Sequence, residues 1–454
     1  MAEFASPPPV TRWLAARAAG VSYETLPPEA VTVARQCILD WFAVTIPGAD
    51  EPAVRILREQ LLADRAAPVA SLTGSPERTS AMNAALINGT ASHALDFDDV
   101  NMAILGHPTV AILPGLLALA EDIGASPEEV IAAFVAGYEV VCRTGALMSP
   151  GHYQYGFHAT ATAGSIGSAA ACARLLRLDE DTTATAFGIA ATMASGLKSM
   201  FGTMCKPMHA GRAAQNGLQA AQLAARGFTS RQDALECAQG LAATQSTDFN
   251  PEDAMMDAPL DFHIRNNLFK YHASCYLTHG AIEAGQALQR GHRVSSNDVQ
   301  GIEIRVSPVT DRVCNLAKPE TGLEAKFSLR LTVAMALAGR DTSGIATFDD
   351  AVTREPELAR LRDMATIVFD DSFPEAKASV TMTTSDGKSV SATHDAGVAD
   401  SDLHRQGDKL KRKFDALVEP VLGAQSAELR DLLASFGESG SVADIMGRAR
   451  SVKS

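Results

Sequence analysis

The stretch GFHATATAGSIGSAAACARLL, Gly156 to Leu176, decides how this chain folds. A histidine and two threonines stand where a helix should begin, and the rest of the stretch is almost wholly Ala, Gly, Ser and Leu. A helix with so little side-chain bulk packs closely against other helices and brings few polar groups of its own. Its N-terminal end carries positive partial charge, which favours anions there. His158 at that end is the first candidate for chemistry. The competing reading is an N-cap network for the same helix.

Working outward, residues 1–267 read as helix after helix. Pro27-Pro28-Glu29 opens AVTVARQCILDWFAV, whose apolar residues recur at helical spacing. Ser126-Pro127-Glu128-Glu129 is a capping box with proline at the first helical position. The pattern predicts further helices at 79–94, 110–123, 160–176, 180–197 and 211–226, and no strand of comparable strength. After Lys270 the character changes. VQGIEIRVSPVT, 299–310, alternates Ile302, Ile304 and Val306 on one face, a strand signal. ASVTMTTSDGKSVSATH, 378–394, reads as a hairpin turning at Ser385-Asp386-Gly387-Lys388. Between them EAKFSLRLTVAMALAG, 324–339, reads as a helix ending at glycine. From Asp402 the chain and its tail are helical again, with Lys409, Lys411, Arg412 and Lys413 read as a solvated face. The fold class is mainly α with an inserted α+β domain. Residues 1–267 and 400–454 form one helical domain, and 268–399 form a smaller α+β domain.

Bulk properties narrow the function. The 454 residues are 46% hydrophobic and 20% charged, an ordinary globular composition that length alone divides into two or three domains. A net charge of −14 argues against nucleic acid as partner, because neutralising phosphates needs a basic face. It leaves an anionic small molecule open. No run of about 18 apolar residues suggests a membrane span. MAEFASPPPV, with Glu3 and its prolines, lacks the basic and apolar regions of a secretory leader. Seven scattered cysteines with no C-x-x-C pair suit a reduced, cytoplasmic protein.

Four clusters could carry chemistry. HALDFDDVNMAILGHPT, 93–109, places Asp96, Asp98 and Asp99 after a helix and His107 before the next. The carboxylates could bind a cation, orient histidines or hold the loop; without further oxygen ligands at fixed spacing the metal reading is weak, and none is assigned. GHYQYGFHAT, 151–160, holds His152, Tyr153, Tyr155 and His158 in a glycine-bounded loop. TMCKPMHAGRAAQNG, 203–217, puts Lys206 before a proline, predicting extended backbone, with His209 and Arg212 at the next helix start. Cations there make sense if a negative ligand lies between them, or if they pair with an acidic loop. FKYHASCYLTHGAIEA, 269–284, crowds Lys270, His272, Cys275, Tyr276 and His279 together, with no fourth ligand pattern for zinc. No phosphate-binding loop, dinucleotide fingerprint or nucleophile elbow occurs, so no cofactor is expected. A cationic, histidine-rich pocket suits proton abstraction next to a carboxylate.

ALDFDDV with GHPT, GFHATATAGSIGSAAA, TMCKPMHAGRAAQNG and FKYHASCYLTHGAIEA resemble the MmgE/PrpD family, in the right order over essentially the whole chain. That family includes 2-methylcitrate dehydratase, cis-aconitate decarboxylase and iminodisuccinate epimerase. The resemblance implies a helical domain from both chain ends, a smaller α+β lid, a homodimer and a cofactor-independent site for a small polycarboxylate. It implies a decarboxylase-like pocket of Asp96, His107, His158, Lys206 and Lys270, with Cys275 and Val313 where that enzyme has histidine and tyrosine. His158, His107, Asp96 and Lys206 are the expected catalytic residues. Lys270, Arg212, His209, Tyr153 and Cys275 are the expected substrate contacts. Dehydration of a 2-methylcitrate-like acid is the leading expectation, epimerisation the second and decarboxylation the third. A non-catalytic helical assembly protein is the reading from a different class.

Overall fold

The computed structural model describes residues 7–258, 260–292 and 296–450. The leader reading of Met1–Ser6 and the last residues of the tail therefore lie outside the described residues. The chain forms two compact units: Met1–Asn267 with Asp402–Ser454, and Leu268–Ser401.

The first unit is a helical assembly. Its long helices span Pro28–Gly48, Ala81–Ala94, Pro108–Ile123, Pro127–Met148, Ala159–Leu175, Cys205–Ala225 and Leu403–Leu422. Proline at the first position starts several of them, where a missing N–H costs nothing. The Ser126/Glu129 capping box forms as its sequence dictates. Pro127–Met148 is long and apolar enough to cross a membrane, but 94% of its most apolar window is buried, as in a core helix. Two-residue strands, β1 (Ala70–Ser71) and β2 (Arg78–Thr79), pair antiparallel in the stretch read as purely helical.

Small residues let these helices touch backbone to backbone. A Cβ built on Gly89 would lie 2.5 Å from Gly211 Cα, so Ala81–Ala94 and Cys205–Ala225 cross with no side chain between them. Gly137 and Gly167 make a similar contact between Pro127–Met148 and Ala159–Leu175, where the added Cβ would meet the Gly167 carbonyl oxygen at 2.6 Å. Trp41, Phe42, Phe134 and Phe187 are the large side chains buried in this unit's core.

Three sequence expectations need correction here. The helix predicted over 180–197 stops at Met193, because Gly196 takes φ +147° and its backbone closes on Ala161. The helix predicted from 211 begins at Cys205, so Lys206 is helical rather than extended. Pro207 is tolerated because first-turn amides have no intrahelical partner to lose. The basic run on Leu403–Leu422 is not wholly solvated: Lys411 and Arg412 are exposed, but Lys413 is fully buried.

The second unit carries a four-stranded sheet in the order β4-β3-β5-β6. Its strands are β3 (Val299–Val306), β4 (Ala365–Phe369), β5 (Lys377–Thr384) and β6 (Ser389–Asp395). β3 pairs parallel with β4 and antiparallel with β5, and β5 and β6 form the expected hairpin. Ile302, Ile304 and Val306 face Met382, Val380 and Ala378 across the ladder, all buried. The helix read over 324–339 is shorter. Thr321 and Glu324 cap a single turn, Gly322–Ala325, and the helix proper runs from Leu329 to Leu337, with Gly339 left-handed beyond it. The break is set by Ser328, whose backbone bridges to Asn315 while its side chain caps the next helix.

Candidate active site

The site in the first unit begins where Ala81–Ala94 ends. His93 occupies its last turn, and Asp96 just beyond turns the chain with φ +49°. Aspartate tolerates this left-handed conformation better than most residues, still at a cost. The turn directs Asp98 inward, where it is buried. His93 Nδ1 lies 2.9 Å from Asp98 Oδ1. His107 Nδ1 lies 2.9 Å from Asp98 Oδ2 and 2.8 Å from the Asp99 carbonyl oxygen. With acceptors on that side, both rings carry their proton on Nδ1 and leave Nε2 as the basic atom. Burial works against the Asp98 charge, but His107 and His93 hold its carboxyl well below the usual range. Burial lowers His93 to about 4 despite Asp98, so it is neutral near pH 7.

His107 stands at the N-cap of Pro108–Ile123 and donates its backbone N–H to Thr160 Oγ1 at 3.0 Å. Thr160 belongs to the first turn of Ala159–Leu175, whose N-cap is His158. The His158 side chain makes no capping bond. Its backbone N–H donates to the Gly196 carbonyl at 3.0 Å, and Lys198 N–H returns a bond to Gly156 at 2.8 Å. This pairing explains why the helix from Glu180 must end early. The His158 ring stacks 5.9 Å from His93, and its Nδ1 lies 3.1 Å from His209 Nδ1. Burial first, then His93, His107, His209 and Lys206, pushes His158 far below the ordinary imidazole value. At rest it is a neutral base.

Lys206 reaches Asp96 Oδ1 at 2.9 Å, and His107 Nε2 lies 3.9 Å from the same oxygen. For Lys206, the negative partner is thus the acidic loop itself. Asp96, expected to orient a histidine, pairs with lysine; Asp98 is the carboxylate that holds the imidazoles. The Asp96 charge also reaches Tyr153, whose hydroxyl is raised first by burial and then by Asp96. Tyr153 lies in the short helix Gly151–Tyr155 rather than a loop, with Lys198 Nζ 3.5 Å over its ring.

The fold thus gathers His158, His107, Asp96, Lys206 and His209, with Tyr153 beside them. Arg212 does not join: it is exposed and bonds to Gln215 along its own helix. His152 is bound to the Gln245 carbonyl and Thr162, a structural role. His93 is the member that sequence reasoning left out, although it opens the quoted HALDFDD segment; Asp98 was named there as a carboxylate that could orient histidines, but not among the expected pocket residues. His93, Asp96, Asp98 and His107 place one donor atom each within 4.8 Å of one another, the only such group among the described residues. A divalent cation there would have to displace the Lys206 ammonium from Asp96.

Lys270 and Cys275 belong to the second unit. Lys270 is buried, and Cys275 is half-buried beside the Cys314 thiol, which that contact raises. His272 is held by Thr342 Oγ1 at 2.7 Å and lies 3.5 Å from Glu283, which occupies the ring that a zinc site would need.

Residues 12–254 match the sequence model of the MmgE/PrpD N-terminal domain, and residues 272–436 match that of the MmgE/PrpD C-terminal domain. The chain belongs to the MmgE/PrpD family. Similar proteins include cis-aconitate decarboxylase of Aspergillus terreus (strain NIH 2624 / FGSC A1156), 25% identical over 405 residues, covering 83% of this chain and 82% of that one. The mouse and human cis-aconitate decarboxylases are each 26% identical; the alignments cover 76% and 78% of this chain and 73% and 76% of theirs. Family and relatives mark this MmgE/PrpD chain as an enzyme of lyase type.

Proposed function

We propose that this MmgE/PrpD chain is a cofactor-independent lyase that dehydrates a small, 2-methylcitrate-like hydroxy polycarboxylate. The observation that supports it most is the neutral, buried His158 beside a Lys206 cation and a carboxylate-held His107. Lys206 takes a substrate carboxylate and stabilises the charge that develops on it as the adjacent C–H breaks. His158 accepts that proton. His107, held at Nδ1 by Asp98, acts as the acid that protonates the departing hydroxyl, which leaves as water. A double bond forms between the two carbons. The working species is a homodimer, which sedimentation velocity tests.

Decarboxylation is the second reading, favoured by the curated relatives. Against it stand Cys275 and Val313, at the positions where the decarboxylase resemblance implies histidine and tyrosine. Incubating citrate-like and aspartate-like acids with the protein in D2O, tracked by NMR, separates the readings. A new olefinic signal with all carboxyl carbons retained supports dehydration. Loss of a carboxyl carbon moves the assignment to decarboxylation, and deuterium uptake with inversion moves it to epimerisation. Silence across the panel sinks all three.

A further inference from the structure

The loop that carries Asp96 and Asp98 is held from behind by a residue far away in sequence. Lys413, on Leu403–Leu422, has no exposed surface. Its ammonium lies 2.5 Å from Asp40 Oδ1 and donates to the Phe97 carbonyl at 2.7 Å. The same ammonium sits 4.1 Å from the centre of the Phe97 ring. Phe97 stands between the two carboxylates of the site: Asp96, which meets Lys206, and Asp98, which fixes His93 and His107. The backbone immediately before it is in the left-handed region at Asp96. A non-glycine residue there persists only when its surroundings over-determine it.

Burying an ammonium is expensive, and a buried ion pair contributes little net stability compared with apolar packing of the same volume. Stability alone therefore gives a weak reason for a lysine at this position. Asp40 also has a charge cost nearby, since it helps to raise the buried Asp99 carboxyl. Lys413 answers both demands: it neutralises Asp40 and fixes the peptide that aims Asp96 and Asp98.

We propose that Lys413 is a positioning residue for the site, acting through the Phe97 carbonyl on Asp96 and Asp98. It touches no reacting group. The inference rests on the proposed function only for its kinetic arm.

The test uses the full chain carrying D40N together with K413M, which removes both buried charges and the Phe97 donor. Imidazole NMR of protein labelled at histidine reads the site without substrate. The His93 and His107 signals should shift, while those of His152, held by Gln245 and Thr162, should stay in place. A merely structural lysine would leave the first pair unmoved in a folded variant. Misplacement by about 1 Å costs on the order of 10²-fold in turnover, so kcat should fall by about that factor with KM changed less than about threefold. K413R keeps the charge beside Asp40 but moves the donor. It should shift the same two histidines by a smaller amount, and it carries the test if the double variant does not fold. Unshifted His93 and His107 signals in a folded variant, or kcat within about threefold of the parent, overturn the proposal. If the parent turns over none of the acids, the proposed function fails while the imidazole signals still decide this inference.

Discussion

His158 precedes a helix without capping it, so the helix start does not depend on its ring, which instead meets His209. His158→Gln should lower kcat by about 10²–10⁴-fold, on the order expected for loss of a general base. Its thermal midpoint should move by only a few degrees; a variant that keeps full turnover would remove the central assignment. Asp96 presents the opposite bargain. Its left-handed backbone suits glycine, so Asp96→Gly should gain roughly 1 kcal/mol in urea unfolding while turnover collapses. Stability and activity falling together would refute a strained functional loop. Asp99 supplies a pH signature. Burial raises its carboxyl to about 7, beyond what the Thr109 hydroxyl recovers. Between about 4 and 7 the fold keeps a proton that the unfolded chain has lost. Its contribution is therefore complete at low pH and disappears as pH rises through about 7. The stability difference between the parent and Asp99→Asn should change by roughly 4 kcal/mol over that window, and a flat difference would count against it.

At the scale of elements, the crossing of Ala81–Ala94 with Cys205–Ala225 fixes His93 relative to Lys206 and His209. Gly211→Ala should cost about 1–3 kcal/mol by overpacking and lower turnover as well, measured by calorimetry beside initial rates; an unchanged midpoint would mean the helices can separate cheaply. What the sequence made legible here was local. The Ser126/Glu129 cap and the Ser385–Lys388 turn are written in neighbouring residues, and both form. The early end of the helix at Met193 was not legible, because the demand comes from His158 and Ala161, some thirty-odd positions back along the chain. Lys413 looked like one more solvated cation for the same reason: its partners Asp40 and Phe97 are set by the fold, not by the run it belongs to. His93 stayed hidden in helical periodicity, since its partner Asp98 meets it only after the loop turns back.

For the whole molecule, each unit has a core of its own. Residues 268–401, with a paired sheet and the buried helix Leu329–Leu337, should unfold cooperatively when expressed alone, monitored by circular dichroism in urea. A featureless spectrum would show that this unit depends on the rest of the chain. The glycine crossings carry a different consequence. Backbones that touch directly leave the frame no way to absorb larger side chains, whereas Tyr155, Leu197, Phe201 and Met204 lie exposed in the segments around His158 and Lys206. Random mutagenesis with selection on new acids should therefore enrich changes at those four positions and purge them at Gly89, Gly137, Gly167 and Gly211. Evolvability, on this frame, is confined to the rim.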